Sequence, residues 1–202
     1  MDAPQPRRRL REAADEQALA LLVSFLSTST RLYAGDPEHD ALAGIRTARH
    51  WAGTALAERV RRGGMELGDV FLAEQDLEPL RAFREDLRNA LAASRTEPIE
   101  PPSGITATVD LQWTTDGRLG VRPTGSGWRA IVGVLTTDLL LADAGERRSK
   151  LKTCAYSACG FPFVDHSPNR TRSWHDTAKC GNVVNLRASR SRRRDDPQPG
   201  HT

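Results

Sequence analysis

The chain has only three cysteines in 202 residues, and none before Cys154. An odd number gathered between positions 154 and 180 argues against a disulfide framework and for metal. Lysine is as unevenly spread: residues 1–145 contain 17 arginines and no lysine. No window approaches the roughly 18 consecutive apolar residues of a membrane span. The N-terminus reads MDAPQPRRRLREAADEQ, and the apolar stretch after it, Leu19 to Leu26, is short and lacks a small-residue cleavage site. No signal peptide is expected, and the expected compartment is the cytoplasm. The first 145 residues also lack a nucleophile motif and a Gly-rich phosphate loop, so no enzyme is expected.

What is present is ordinary for a globular protein. Hydrophobic residues make up 38% and charged ones 27%, enough for one domain of common size plus a small appendage. The charge is divided along the chain. Residues 1–145 set their 17 arginines against 21 acidic residues, a net of −4, whereas residues 146–194 hold 12 Lys+Arg against Glu146, Asp165 and Asp176, a net of +9. A basic segment on an acidic body is an electrostatic footprint for a polyanion such as nucleic acid; solvated charges kept for solubility are the alternative.

The fold class expected is α+β: a mainly helical N-terminal domain with one β-hairpin, then a small zinc-stapled basic module. Residues 1–12, rich in Pro and Arg, read as a disordered arm. Leu19, Leu22, Val23 and Leu26 recur at helical spacing within a helix over about 12–29. A second helix is predicted from about Asp40 to Arg62 with Leu42, Ile45, Ala52 and Leu56 inward, ended by Gly63-Gly64. A third, over about 74–93, buries Leu77, Leu80, Phe83, Leu87 and Leu91, and its Arg, Glu and Asp positions read as a solvated face. The prolines of residues 96–104 make a connector. Ile105, Ala107, Val109, Leu111 and Trp113 then alternate with polar residues. Thr115-Asp116-Gly117-Arg118 supplies a turn and Leu119 and Val121 the return strand, a hairpin near 105–122. A fourth helix, about 127–144, is apolar on several sides and is the expected most buried element. There is no internal repeat and no sustained heptad.

Chemistry concentrates in residues 151–184. Cys154 and Cys159 are separated by four residues, as are His175 and Cys180, with fifteen between the pairs. Two close pairs around a longer loop are what a four-coordinate structural zinc requires, and four protein ligands leave no position for a catalytic water. An iron–sulfur cluster is the less natural alternative, given the histidine. Gly160 and Gly181 follow the second and fourth ligands, where positive φ is useful. Phe161, Phe163 and Trp174 supply a miniature core, though a module of roughly 35 residues needs metal for much of its folding free energy. His166, beside Asp165, has no partner at ligand spacing and reads as a surface residue or a support to the site. Candidate nucleic-acid contacts are Arg170, Arg172, Lys179, Arg187, Arg190, Arg192, Arg193 and Arg194, the last five on a segment predicted as either a helix or an arm that orders on binding.

These residues resemble the CGNR zinc finger, which pairs C-x4-C with a W-C-x4-C-G-N-R ending. Cys154-Ala-Tyr-Ser-Ala-Cys159, Phe163-Val164-Asp165, Ser167-Pro168-Asn169-Arg170, Arg172-Ser173-Trp174 and Cys180-Gly181-Asn182 follow that pattern. More weakly, residues 13–147 are similar to the ABATE domain, a stress-induced transcription regulator. Its opening helix reads L-D-F-V-N-T where this chain has Val23-Ser24-Phe25-Leu26-Ser27-Thr28. The division implied is an arm (1–12), an ABATE-like domain (13–147), a finger with basic extension (148–194) and a disordered tail (195–202). The function implied is a DNA-binding transcriptional regulator of the nucleoid, with an N-terminal domain that senses a small-molecule effector or binds a protein of the transcription machinery. The class-level alternative is a zinc-stabilised interaction adaptor. Four positions depart from the pattern: His175 for the third cysteine, Val183 for the closing arginine, and Ser24 and Ser27 for Asp and Asn. Histidine is a competent ligand, and it brings the zinc site to −1 rather than the −2 of four thiolates.

Overall fold

The computed structural model describes residues 19–29, 36–62, 70–93, 106–113, 117 and 119–195. The expected arm at 1–12, the Gly63-Gly64 helix stop, the connector at 96–104 and the tail beyond Asp195 lie outside these residues. The architecture is α+β. Helix α1 is described over 19–26, followed by α2 (Ile45–Arg61), α3 (Leu77–Ala93), the hairpin β1 (Val109–Trp113) and β2 (Leu119–Pro123), and α4 (Trp128–Ala144). A second, smaller hairpin, β3 (Leu151–Thr153) and β4 (Pro162–Val164), precedes the last helix, α5 (Asn182–Asp195).

The core forms where the apolar stripes of α1 to α4 meet. Leu19, Leu22, Phe25 and Leu26 of α1, Leu80 of α3 and Ile131 and Leu135 of α4 are all at most 1% exposed. Phe25 holds its ring 5.6 Å from that of Trp51 and 5.7 Å from that of Phe83, which ties α1 to α2 and α3. The five predicted apolar positions of α3 are all buried.

Helix α2 begins later than its periodicity predicts. The Asp40 carboxylate accepts the Leu42 N–H at 2.8 Å, and the Ala41 N–H bonds to the Thr28 carbonyl at 2.7 Å. Those bonds hold residues 40–44 in turns, the competition with helix that Asp side chains offer. Leu42 therefore enters the core from a loop. Within α2 the inward stripe is Ala48, Ala52 and Ala55, while Ile45 and Leu56 are half-buried.

The solvated face predicted for α3 is corrected at two arginines. Arg84 and Arg88 are 4% and 3% exposed. Arg84 clasps both Asp40 oxygens at 2.7 Å and donates to the Thr28 hydroxyl at 2.9 Å. Arg88 donates to the Leu26 carbonyl, an orphan group at the end of α1, to the Ser29 carbonyl in the turn beyond it, and to Glu85 at 2.7 Å. A third pair, Arg59 with Asp138 at 2.8 Å, joins α2 to α4.

The first hairpin pairs antiparallel with Leu111 opposite Val121 and Trp113 opposite Leu119. Gly117, the described residue of its turn, has φ +77°. Alternation locates the strand, but its apolar side is open: Leu111 is 64% and Trp113 77% exposed. Helix α4 is likewise not buried throughout. Residues 130–135 are buried, whereas Arg129 is exposed and Leu140 and Leu141 are 66% and 50% exposed.

The second hairpin positions the metal module. Leu151 of β3 is 3% exposed and belongs to the main core, and Val164 of β4 packs against it. The core thus continues past residue 147.

Candidate metal centre

Strand β3 ends at Thr153, and the chain turns through a knuckle that carries the first ligand pair. The Cys154 N–H donates to the Phe161 carbonyl at 2.8 Å, and the Cys159 and Gly160 N–H groups both donate to the Tyr156 carbonyl. Gly160 closes the knuckle with φ +59°, as its position after the ligand predicts. The second pair begins a helix. The Asp176 carboxylate accepts the Lys179 N–H at 2.9 Å, and the Asp176 carbonyl accepts the N–H groups of Cys180 and Gly181. This wide turn, Thr177–Gly181, runs directly into α5.

Gly181 does not have the positive φ expected of it. A Cβ there would lie 3.2 Å from Trp174 Cε3 and 3.3 Å from Thr177 Cγ2, so the residue is glycine because the indole packs onto the backbone.

The knuckle and the turn bring one ligand atom each from Cys154, Cys159, His175 and Cys180 within 4.8 Å of one another. His175 Nδ1 is 3.4 Å from Cys159 Sγ and 3.7 Å from Cys180 Sγ. A tetrahedron with bonds of about 2.3 Å to sulfur and about 2.1 Å to nitrogen has nitrogen–sulfur edges of about 3.6 Å, which the two His175 distances match. Burial, then the neighbouring Cys154 and Cys159, push the Cys180 thiol up to about 12. Burial also raises Cys159 and lowers His175, which leaves the imidazole neutral and ready to ligate. A dication among the sulfurs relieves their crowding of negative charge, and metal binding is correspondingly linked to loss of the thiol protons. Tyr156, Phe161 and Trp174 pack around the three cysteines, and Phe161 lies 4.9 Å from the His175 ring. Phe163, expected in that miniature core, instead lies under the Arg172 guanidinium at 5.3 Å.

His166 is not among the four converging groups. Its neighbour Asp165 is the residue that spacing alone did not single out. Fully buried, it accepts the Lys152 ammonium at 2.6 Å, the Ser167 N–H at 2.9 Å and the Arg172 N–H at 3.1 Å, fastening β3 and the ligand loop together. Burial alone would raise its pKa, but the bonds from Lys152 and Ser167 hold it down at about 2.

Asp165→Asn keeps the shape and puts an amide donor or a neutral oxygen where two donors converge. The gap between about 2 and the unfolded 3.8 is worth about 2 kcal/mol of stability. A depressed carboxylate stabilises above its unfolded pKa and loses that contribution as pH falls through the folded one. Asp165→Asn is therefore expected to lower unfolding free energy by about 2 kcal/mol at neutral pH, with the difference from wild type closing between about pH 4 and pH 2. Denaturant titration across pH checks this, and a constant difference would contradict it.

The basic residues divide by occupation. Arg172 donates to the Trp174 carbonyl at 2.8 Å and to the His175 carbonyl, and Arg170, at φ +51°, donates to Ser149. Both side chains brace the loop. Arg187 lies 5.4 Å from the Tyr156 ring, while Lys179, Arg190 and Arg192 are exposed. Arg193 and Arg194 fall on α5, and their side chains lie outside the described residues.

Four converging protein ligands and a closed shell define a zinc-binding protein with a structural site. The module is similar to the CGNR zinc finger, whose family model matches residues 150–193. No curated protein matches the chain.

Proposed function

We propose that this protein is a DNA-binding transcriptional regulator, not an enzyme, whose helical domain senses an effector or binds a partner. The observation that supports it most is the seating of α5. Cys180, a zinc ligand, lies two residues before the helix begins, so a 14-residue rod about 21 Å long leaves the zinc site at a defined angle. Val183, Arg187 and Arg190 fall on one stripe of that rod, with Leu186 beside them, and all four are exposed. Arginine meets phosphate or guanine, an apolar side chain meets the thymine methyl, and the major groove admits a helix. Arg192 lies nearly half a turn away and suits a phosphate contact instead. The resemblance of residues 13–147 to the ABATE domain supplies the regulatory half of the proposal.

Neutralising Arg190, Arg192, Arg193 and Arg194 together is expected to weaken binding to every duplex. If three phosphate contacts are lost, the slope of log affinity against log salt should fall by about 2.7. Fluorescence anisotropy at several salt concentrations measures it, and unchanged affinity and slope would contradict the assignment of this helix.

A second reading, an adaptor that binds protein, is favoured by the apolar side of the first hairpin, where Leu111 and Trp113 are open. Such an interface would hold its affinity as salt rises, which separates the two readings in the same titration.

A further inference from the structure

A cleft of about 790 Å³ opens in the helical domain between the end of α1 and the outer side of α2, far along the chain from the zinc ligands. That size suits a small organic molecule rather than a single oxyanion. Arg46 and His50, one helical turn apart on α2, both line it. Neither forms a hydrogen bond or ion pair with any described residue, whereas most of the helical domain's other described arginines are engaged. Two of the cleft's other three charges are answered. Asp40 is clasped by Arg84, His39 is held by Asp36 at 2.8 Å, and Glu38 is exposed to solvent.

Two hydroxyls and an indole complete the lining. Trp51, half-buried, donates its indole N–H to Ser24 Oγ at 3.1 Å, which leaves the Ser24 proton to donate elsewhere. The Ser27 hydroxyl is buried with no hydrogen-bond partner among the described residues. The donors of Arg46, His50 and Ser24 beside an aromatic wall suit a ligand with a negative head and an apolar body.

We propose that this cleft binds a small organic carboxylate, its head on Arg46 and His50 and its body against Trp51. The proposal rests on the reading of the helical domain as a sensor and names the class of what it senses. Arginine takes a carboxylate in a two-point fork, and the imidazole offers a donor in either protonation state.

Calorimetric titration of full-length, zinc-loaded protein with benzoate tests it, with acetate and inorganic phosphate as head-group controls. Benzoate is expected to bind at least about tenfold more tightly than either control. Arg46→Gln removes the exposed cation, and Ser24→Asp keeps an acceptor for Trp51 while adding a negative charge to the wall. Each is expected to weaken benzoate about tenfold or more with zinc content and helicity unchanged. Absence of benzoate binding, phosphate binding as tight as benzoate, or unchanged affinity in either variant would overturn the proposal. The titration contains no DNA, so its failure leaves the duplex measurement standing, and a failed duplex measurement leaves this site standing.

Discussion

His175→Ala is expected to lose zinc, from about one equivalent per chain in the wild type, while His175→Cys retains it. The imidazole supplies one of four donors, and its Nδ1 stands 3.4 Å from Cys159 Sγ. Deleting it should cost several kcal/mol, a fraction of the roughly 10–16 kcal/mol with which structural zinc sites bind metal. A thiolate at the same position restores a fourth ligand. The damage in the alanine variant should centre on Trp174 and the wide turn into α5, because Phe161 and Gly181 both pack against that region. The base of the module should survive, because Leu151 and Val164 are held by the main core. Metal analysis and competition with a chelator check the affinities, and tryptophan fluorescence follows the packing. Equal zinc affinity in wild type and His175→Ala would show that another group completes the shell.

Arg84→Ala is expected to destabilise the helical body by about 3 kcal/mol, the low end of the cost of breaking a buried ion pair, because the Asp40 left behind is half-buried. Arg84 is 4% exposed and makes a two-point contact with Asp40, whose carboxylate also organises the turn before α2. Burial would raise the pKa of Asp40, but Arg84 and the Leu42 N–H hold it below the usual range. With Arg84 gone the half-buried carboxylate, whose side chain is 16% exposed, keeps only the Leu42 N–H as a described donor. Replacing both members, as in Arg84→Met with Asp40→Leu, should recover much of the loss, since apolar side chains of similar volume often substitute for a buried ion pair. Chemical denaturation of the two variants distinguishes a costly broken pair from a pair that stabilises in its own right. A cost under about 1 kcal/mol for Arg84→Ala would mean that water reaches Asp40 freely.

The metal ligands were legible because they are local. Two pairs with the same internal spacing need only two turns to converge, and Gly160 marks one of them. The burial of Arg84 and Arg88 was not legible for the opposite reason. Arginine on an amphipathic helix reads as solvated, and the groups that draw these two inward lie 44 to 62 residues away in sequence. Gly181 was visible as a glycine, but its reason was not: close approach of Trp174 leaves no mark that distinguishes it from a turn. Alternation in Val109, Leu111 and Trp113 announced a strand without saying whether anything covers the apolar side. Asp165 sits in the CGNR-like motif, yet only folding brings Lys152 and the Arg172 N–H to it.

Leu151, with Val164 beside it, gives the molecule a hydrophobic joint between its helical body and its metal module. A rearrangement of the helices around that side chain reaches strand β3, and the strand runs without a linker into Cys154. Halves joined this way do not swing like beads on a tether. Any influence the occupant of the helical body exerts on the grip of α5 is returned to it in equal measure, because coupling between two binding equilibria is reciprocal.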